Sequence, residues 1–130
     1  RQYPEFERTM RAEALDFIQV DYALDNRAAA ATILPLAADR GMAVMINLPF
    51  GRGRLFQAVQ DRALPPWASG FDCASWAQFF LKYIVSHPAV TCCVPGTAKV
   101  EHLLDNLGAA QGRLPDAATR RRMEEFIDRL

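Results

Sequence analysis

A chain of 130 residues is long enough for one ordinary domain and short for two. Its 51% hydrophobic and 10% aromatic content excludes an intrinsically disordered polypeptide. Fifteen basic residues balance fifteen acidic ones, which leaves no global field to attract nucleic acid or an anionic membrane.

The first fourteen residues suit a helix entered at Pro4, with Phe6 and Met10 spaced for one face. Leu15 to Tyr22 is rich in β-branched and aromatic residues and predicts a strand. A turn at Asp25-Asn26-Arg27 precedes a helical stretch from Ala28 through Ala37, in which Pro35 demands a kink or a fresh start. Gly41 is the expected C-terminal cap residue. Ala43 to Leu48 predicts a second strand, ending in Pro49-Phe50-Gly51-Arg52-Gly53. Residues 54–71 form a long connection with one helical turn around Leu55 to Ala63. Asp72 is the expected N-cap of an apolar helix from Cys73 to Ser86, stopped by His87-Pro88. A C-terminal cap role is expected for His87. Ala89 to Val94 predicts a third strand, and Val100, Leu103, Leu104 and Leu107 then share one helical face. Asp116 caps a final helix with Met123, Phe126, Ile127 and Leu130 on one side. On that helix, Arg120 to Arg122 followed by Glu124 and Glu125 predicts a solvated, internally paired face.

Three apolar strands alternating with helices predict an α/β fold with a parallel sheet covered by helices. Three such strands alone leave two open edges and an uncovered face, which closure into a barrel would remove. The pattern therefore belongs to something larger, and the start at Arg1 without a Met points to a processed, truncated or incompletely represented product.

Three cysteines make an odd count without Cys-x-x-Cys spacing. Adjacent Cys92 and Cys93 are expected as buried small hydrophobes in a reducing compartment. No apolar run reaches the length of a membrane-spanning helix, and no signal-peptide pattern opens the chain. Pro95-Gly96-Thr97 sits between the third strand and its helix. Gly96 allows close backbone approach, and Thr97 is a suitable N-cap. The helix N-terminus suits a phosphate, with Lys99 and His102 able to add positive charge. A purely structural strand–helix connection fits this turn equally well.

Four blocks together carry a resemblance: Asp16 to Tyr22, Asn47 to Gly53, Trp76 to Val90, and Pro95 to Ala110. In this order and at these intervals they resemble the aldo/keto reductase family, over nearly the whole chain from about Leu15 onward. The match is to the family's C-terminal part alone. It implies the last three strands of a (β/α)8 TIM barrel, with residues 1–130 as a partial barrel lacking the catalytic N-terminal part.

The resemblance also implies a site for NADP or NAD. Ligands of such barrels bind at the carboxyl ends of the strands, often with phosphate on the last two βα loops. The position of Gln19 implies contact with the nicotinamide carboxamide, to which an amide can both donate and accept. Asn47 stands where the family usually has a ring that stacks on the nicotinamide, a role Asn cannot fill. Phe50 matches the family's apolar turn residue, and Gly51 the turn beside the pyrophosphate. Gly96, Thr97 and Lys99 match the adenosine-phosphate loop. His102 replaces a common Arg that stacks on adenine and pairs with the ribose phosphate, which weakens the preference for NADP. Asp105 and Asn106 match positions that contact adenine.

The family's proton donor is a Tyr assisted by Lys, Asp and His on earlier strands. Tyr3, Tyr22 and Tyr83 do not occupy that motif, so no catalytic residue is assigned. The expectation is a cytoplasmic fragment of an oxidoreductase that reduces aldehydes or ketones, inactive alone and prone to self-association. Its partners are the dinucleotide and a carbonyl substrate, not nucleic acid or membrane. The alternatives are a truncated, non-catalytic assembly module, and an unrelated (β/α)8 enzyme sharing only phosphate-binding loops.

Overall fold

The computed structural model describes residues 3–130. Arg1 and Gln2, the start of the predicted first helix, lie outside the described residues. The elements are α1 (Tyr3–Ala12), β1 (Phe17–Asp21), α2 (Ile33–Asp39), β2 (Ala43–Asn47), α3 (Arg54–Ala58), α4 (Trp76–Val85), β3 (Cys92–Cys93), α5 (Val100–Leu107) and α6 (Ala117–Asp128).

The strands form one parallel sheet in the order β1-β2-β3. β1 pairs with β2 from Phe17 opposite Ala43 to Asp21 opposite Asn47. β3 pairs through only two residues, Met45 with Cys92 and Ile46 with Cys93. Hydrogen bonds from Thr91 N to Val44 O (2.9 Å) and Val94 N to Ile46 O (2.8 Å) extend that contact. Because successive strand residues face opposite sides, one set is covered and the other is not. Ile18, Val20, Val44 and Ile46 are buried in the main apolar core, whereas Gln19 is exposed and Phe17 is 57% exposed. The uncovered side is the one that would face the interior if such strands continued into a closed (β/α)8 barrel.

Local signals account for most boundaries. The stretch after β1 is a short 3-10 turn at Ala28–Ala30 and then a fresh start at Ile33. Pro35 falls in the first turn of α2, where an amide would lack an intrahelical partner in any case. Gly41, at φ +67°, follows the Arg40 cap of that helix. Asp116 caps α6 by accepting from Thr119 N at 2.8 Å.

Several expectations are corrected. Ser75, not Asp72, caps the apolar helix, its hydroxyl accepting from Gln78 N at 3.1 Å. Asp72 instead ends a 3-10 stretch, Pro66–Phe71, and is bound by Arg113 across 41 residues of sequence. Lys99, not Thr97, occupies the N-cap of α5. Cys92 is exposed and Cys93 half-buried, because β3 has no described neighbour on its far side. His87 does not cap α4 through its ring; Nδ1 accepts from Ala89 N at 3.1 Å. Arg120 is not a solvated partner of Glu124. It donates to Tyr83 O, Ser86 Oγ and, at 3.0 Å, Tyr22 Oη.

Two polar devices tie the segments after α5 to the rest of the fold. Lys82 is completely buried, and its ammonium donates to the carbonyls of Phe71 (2.8 Å), Gln111 (2.7 Å) and Arg113 (2.9 Å). Three acceptors replace the lost water, which makes burial of the charge tolerable. Helix α6 is fixed by a second chain of bonds. Tyr22 Oη donates to Tyr83 Oη (3.2 Å), which donates to Glu124 (2.8 Å), while Arg27 pairs with Asp128 at 2.8 Å.

Helix α5 is the exception to the covered layers. None of its residues is buried; Val100 is 70% exposed and Leu104 64%. Its apolar stripe, read correctly as one helical face, stays largely exposed, although Leu103 and Leu107 border a cavity shared with Leu81 and Val85.

Candidate functional site

The carboxyl ends of the three strands feed into the loops that hold the candidate residues. After β2, Leu48 takes a positive φ of +53° and Gly51 one of +59°. Gly51 is buried, and a Cβ there would lie 2.6 Å from an Asp25 carboxylate oxygen and 2.9 Å from Arg54 Nη2. Only glycine fits, because the Asp25–Arg54 pair (2.9 Å) is packed against its backbone. This contact locks the loop after β2 onto the loop after β1.

After β3, Thr97 Oγ1 accepts from Lys99 N at 3.2 Å, a local turn that closes the loop ahead of α5. Gly96 (φ +61°) has nothing within 4 Å of where a Cβ would sit, so its backbone borders open space. Helix α5 is drawn toward the start of α4 by Asp105. Its carboxylate accepts from Ser75 Oγ (2.7 Å) and Gln78 Nε2 (3.1 Å), and Gln78 Nε2 also donates to Asp105 O at 3.0 Å.

Between these loops lies a cavity of about 470 Å³. Six of the ten candidate residues line it: Phe50, Gly96, Thr97, His102, Asp105 and Asn106. Gln19 and Asn47 line a second, smaller cavity of about 290 Å³ at the ends of β1 and β2. Both point to the uncovered side of the sheet, in phase with Asp21. Asn47 Oδ1 is buried and accepts no hydrogen bond. Gly51 and Lys99 line neither cavity.

Residues not anticipated also form the larger cavity, namely Phe56, Ser75, Trp76 and Ala77. Trp76 Nε1 donates to Arg62 O at 2.9 Å, which fixes its indole. Phe56 follows the Gly51–Gly53 turn by one helical turn, a spacing that was available as a signal. Trp76 immediately follows the Ser75 cap and so had to lie at the mouth of the strand ends.

Two of the three thiols are half-buried and held unreactive. Burial pushes the Cys93 thiol up to about 12, reinforced by Cys92, and burial pushes Cys73 up to about 11. Neither is a thiolate at neutral pH. Burial, with Tyr22 as hydrogen-bond partner, raises the Tyr83 hydroxyl well above the ordinary tyrosine value, the reverse of what a proton donor needs. Among the described residues, no three His, Cys, Asp or Glu side chains cluster as a metal site would require. No helix among them is long and apolar enough to cross a membrane.

Comparisons with known proteins agree with this architecture. The model of the aldo/keto reductase family matches residues 7–126. No curated protein sequence matches significantly. Among solved structures, aldo-keto reductase AKR11C1 from Bacillus halodurans in its holo form superimposes with a TM-score of 0.71 at 16% identity, over 93% of this chain and 46% of that one. Its apo form gives 0.69 at 16% identity, over 95% and 47%. The thermostable aldo-keto reductase Tm1743, in complex with the inhibitor epalrestat, gives 0.63 at 20% identity, over 82% and 38%. This chain thus spans less than half the length of these reductases. With the family model covering nearly all of its sequence, the chain belongs to the aldo/keto reductase family.

Proposed function

We propose that this chain forms the dinucleotide-binding face of an NAD(P)H-dependent carbonyl reductase and does not itself supply the proton donor. The observation that carries this reading is the cavity shared by Phe50, Gly96, Thr97, His102 and Asn106, which unites two βα loops at the carboxyl ends of parallel strands. The residues suit the group. Gly96 leaves its backbone open to a phosphate, Asn106 offers an amide for a base edge, and the unpaired Asn47 Oδ1 calls for a donor such as a carboxamide.

A nicotinamide cofactor, when bound, supplies the hydride for reduction of an aldehyde or ketone. The chain's own residues bind and orient. Gln19 and Asn47 would hold the amide-bearing end, and Gly96 with Thr97 the phosphates. His102 would stand by the ribose phosphate. The locked turn at Gly51 holds the loop after β2 against the loop after β1. None of Tyr3, Tyr22 and Tyr83 matches the family's acid motif, so protonation of the product alkoxide is assigned to residues outside this chain.

The test is a titration of the 130-residue chain with NADPH and NADH, followed by the fluorescence of its two tryptophans, Trp67 and Trp76, alongside an assay of aldehyde reduction. Saturable binding without turnover is expected. Failure to bind either cofactor at millimolar concentration, or turnover by the chain alone, would overturn this reading. A second reading, as an assembly module, is favoured by the bare apolar stripe of α5. Self-association that persists while cofactor binding is absent would select it.

A further inference from the structure

Of the rings that line the larger cavity, Phe50 and Trp76 are half-buried, whereas Phe56 is 39% exposed. We propose that Phe56 is the surface on which the purine ring of the dinucleotide stacks, an inference that rests on the dinucleotide reading above. Its position is rigid. Phe56 sits on the short helix α3, with its ring centroid 4.8 Å from that of Phe50 and 5.3 Å from that of the fully buried Phe80. A ring held by two others cannot collapse into the cavity, and so presents a preformed apolar wall.

The groups around it favour a flat, uncharged heterocycle over a charged ligand. The Asp105 carboxylate is already engaged by Ser75 and Gln78, so it adds structure more than free charge. Asn106 can donate to and accept from the edge of a base. Lone exposed aromatics are ordinary on protein surfaces, but this one is backed by a core ring and borders a concave site.

The experiment compares wild type with Phe56→Ala, Phe56→Leu and Phe56→Trp by NMR titration. The probes are adenosine 2′,5′-bisphosphate, inorganic pyrophosphate and NADPH. Phe56→Ala should weaken the bisphosphate and NADPH by roughly five- to a hundredfold, the range for a lost base–aromatic stack. Pyrophosphate binding should not change. Phe56→Leu, which keeps apolar bulk, should lose most of the affinity, and Phe56→Trp should keep it. Equal affinity of wild type and Phe56→Ala for the bisphosphate would overturn the stack while leaving the dinucleotide reading standing, provided that NADPH still binds. Full retention in Phe56→Leu, or parallel loss of pyrophosphate binding, would also overturn it, since bulk or fold would then be responsible. If wild type binds none of the three probes, the dinucleotide reading falls and the stack falls with it.

Discussion

The Ser75 hydroxyl donates to Asp105 Oδ2 at 2.7 Å while accepting from Gln78 N, so the cap of α4 is also its tie to α5. Asp105→Ala should strand the Ser75 hydroxyl, leave Gln78 Nε2 with only the main-chain oxygen of residue 105, and cost about 1–3 kcal/mol. Asp105→Asn should cost less, because one carbonyl oxygen still accepts. Urea unfolding of the two variants checks the order; equal stability of Asp105→Ala and wild type would contradict the tie.

Lys82→Met removes the donor shared by Phe71, Gln111 and Arg113 and leaves their carbonyls unpaired. A loss on the order of 3 kcal/mol is expected despite the similar side-chain length. Limited proteolysis should then cut between Gln111 and Pro115 faster than in wild type. An unchanged cleavage pattern would show that the segment is held by other contacts.

His87 is depressed below the ordinary histidine value by burial and then by Arg120. A base with a lowered native value binds protons more readily when unfolded. It therefore leaves stability intact above about pH 6.5 and erodes it as pH falls from there toward the native value. Stability should decline over that window, with a shallower slope in His87→Gln. Thermal unfolding of both proteins from pH 7.5 to 5 measures the difference. Asp116, whose carboxyl is lowered chiefly by its hydrogen bonds to Thr119, adds its own loss only in the more acidic carboxylate range.

Helix α5 and the free edge of β3 should drive association at micromolar concentration, since a stripe of this extent is unfavourable in water. Leu104→Asp adds a charge at an exposed position and should shift the population toward monomer without loss of helical content. Sedimentation velocity decides, and a wild-type monomer would contradict the expectation.

Legibility from sequence followed the range of the interactions. The Pro35 restart, the Gly41 ending and the Asp116 cap depend on neighbours within a few residues, and these were readable. The choice of Ser75 over Asp72 was not, because Asp72 is claimed by Arg113, a residue far along the chain. Lys82 carries no local signal of its burial, since its three acceptors lie 11, 29 and 31 positions away. Cys92 was expected inside because a strand predicts its covered faces, not the absence of a neighbour. For the candidate site, pattern and resemblance pointed to both loops, and six candidates line one cavity. Phe56 and Trp76 carry a local signal for being near the strand ends, but the direction of their rings depends on packing against Phe80.

The strand order β1-β2-β3 repeats the order of the chain. Each strand is laid beside its immediate predecessor, and no later strand has to be threaded between two earlier ones. Such a segment can acquire structure progressively as it leaves the ribosome, one β/α layer at a time. Its growing margin is then always the most recently made strand, the place where an incomplete sheet is most exposed to the wrong neighbour.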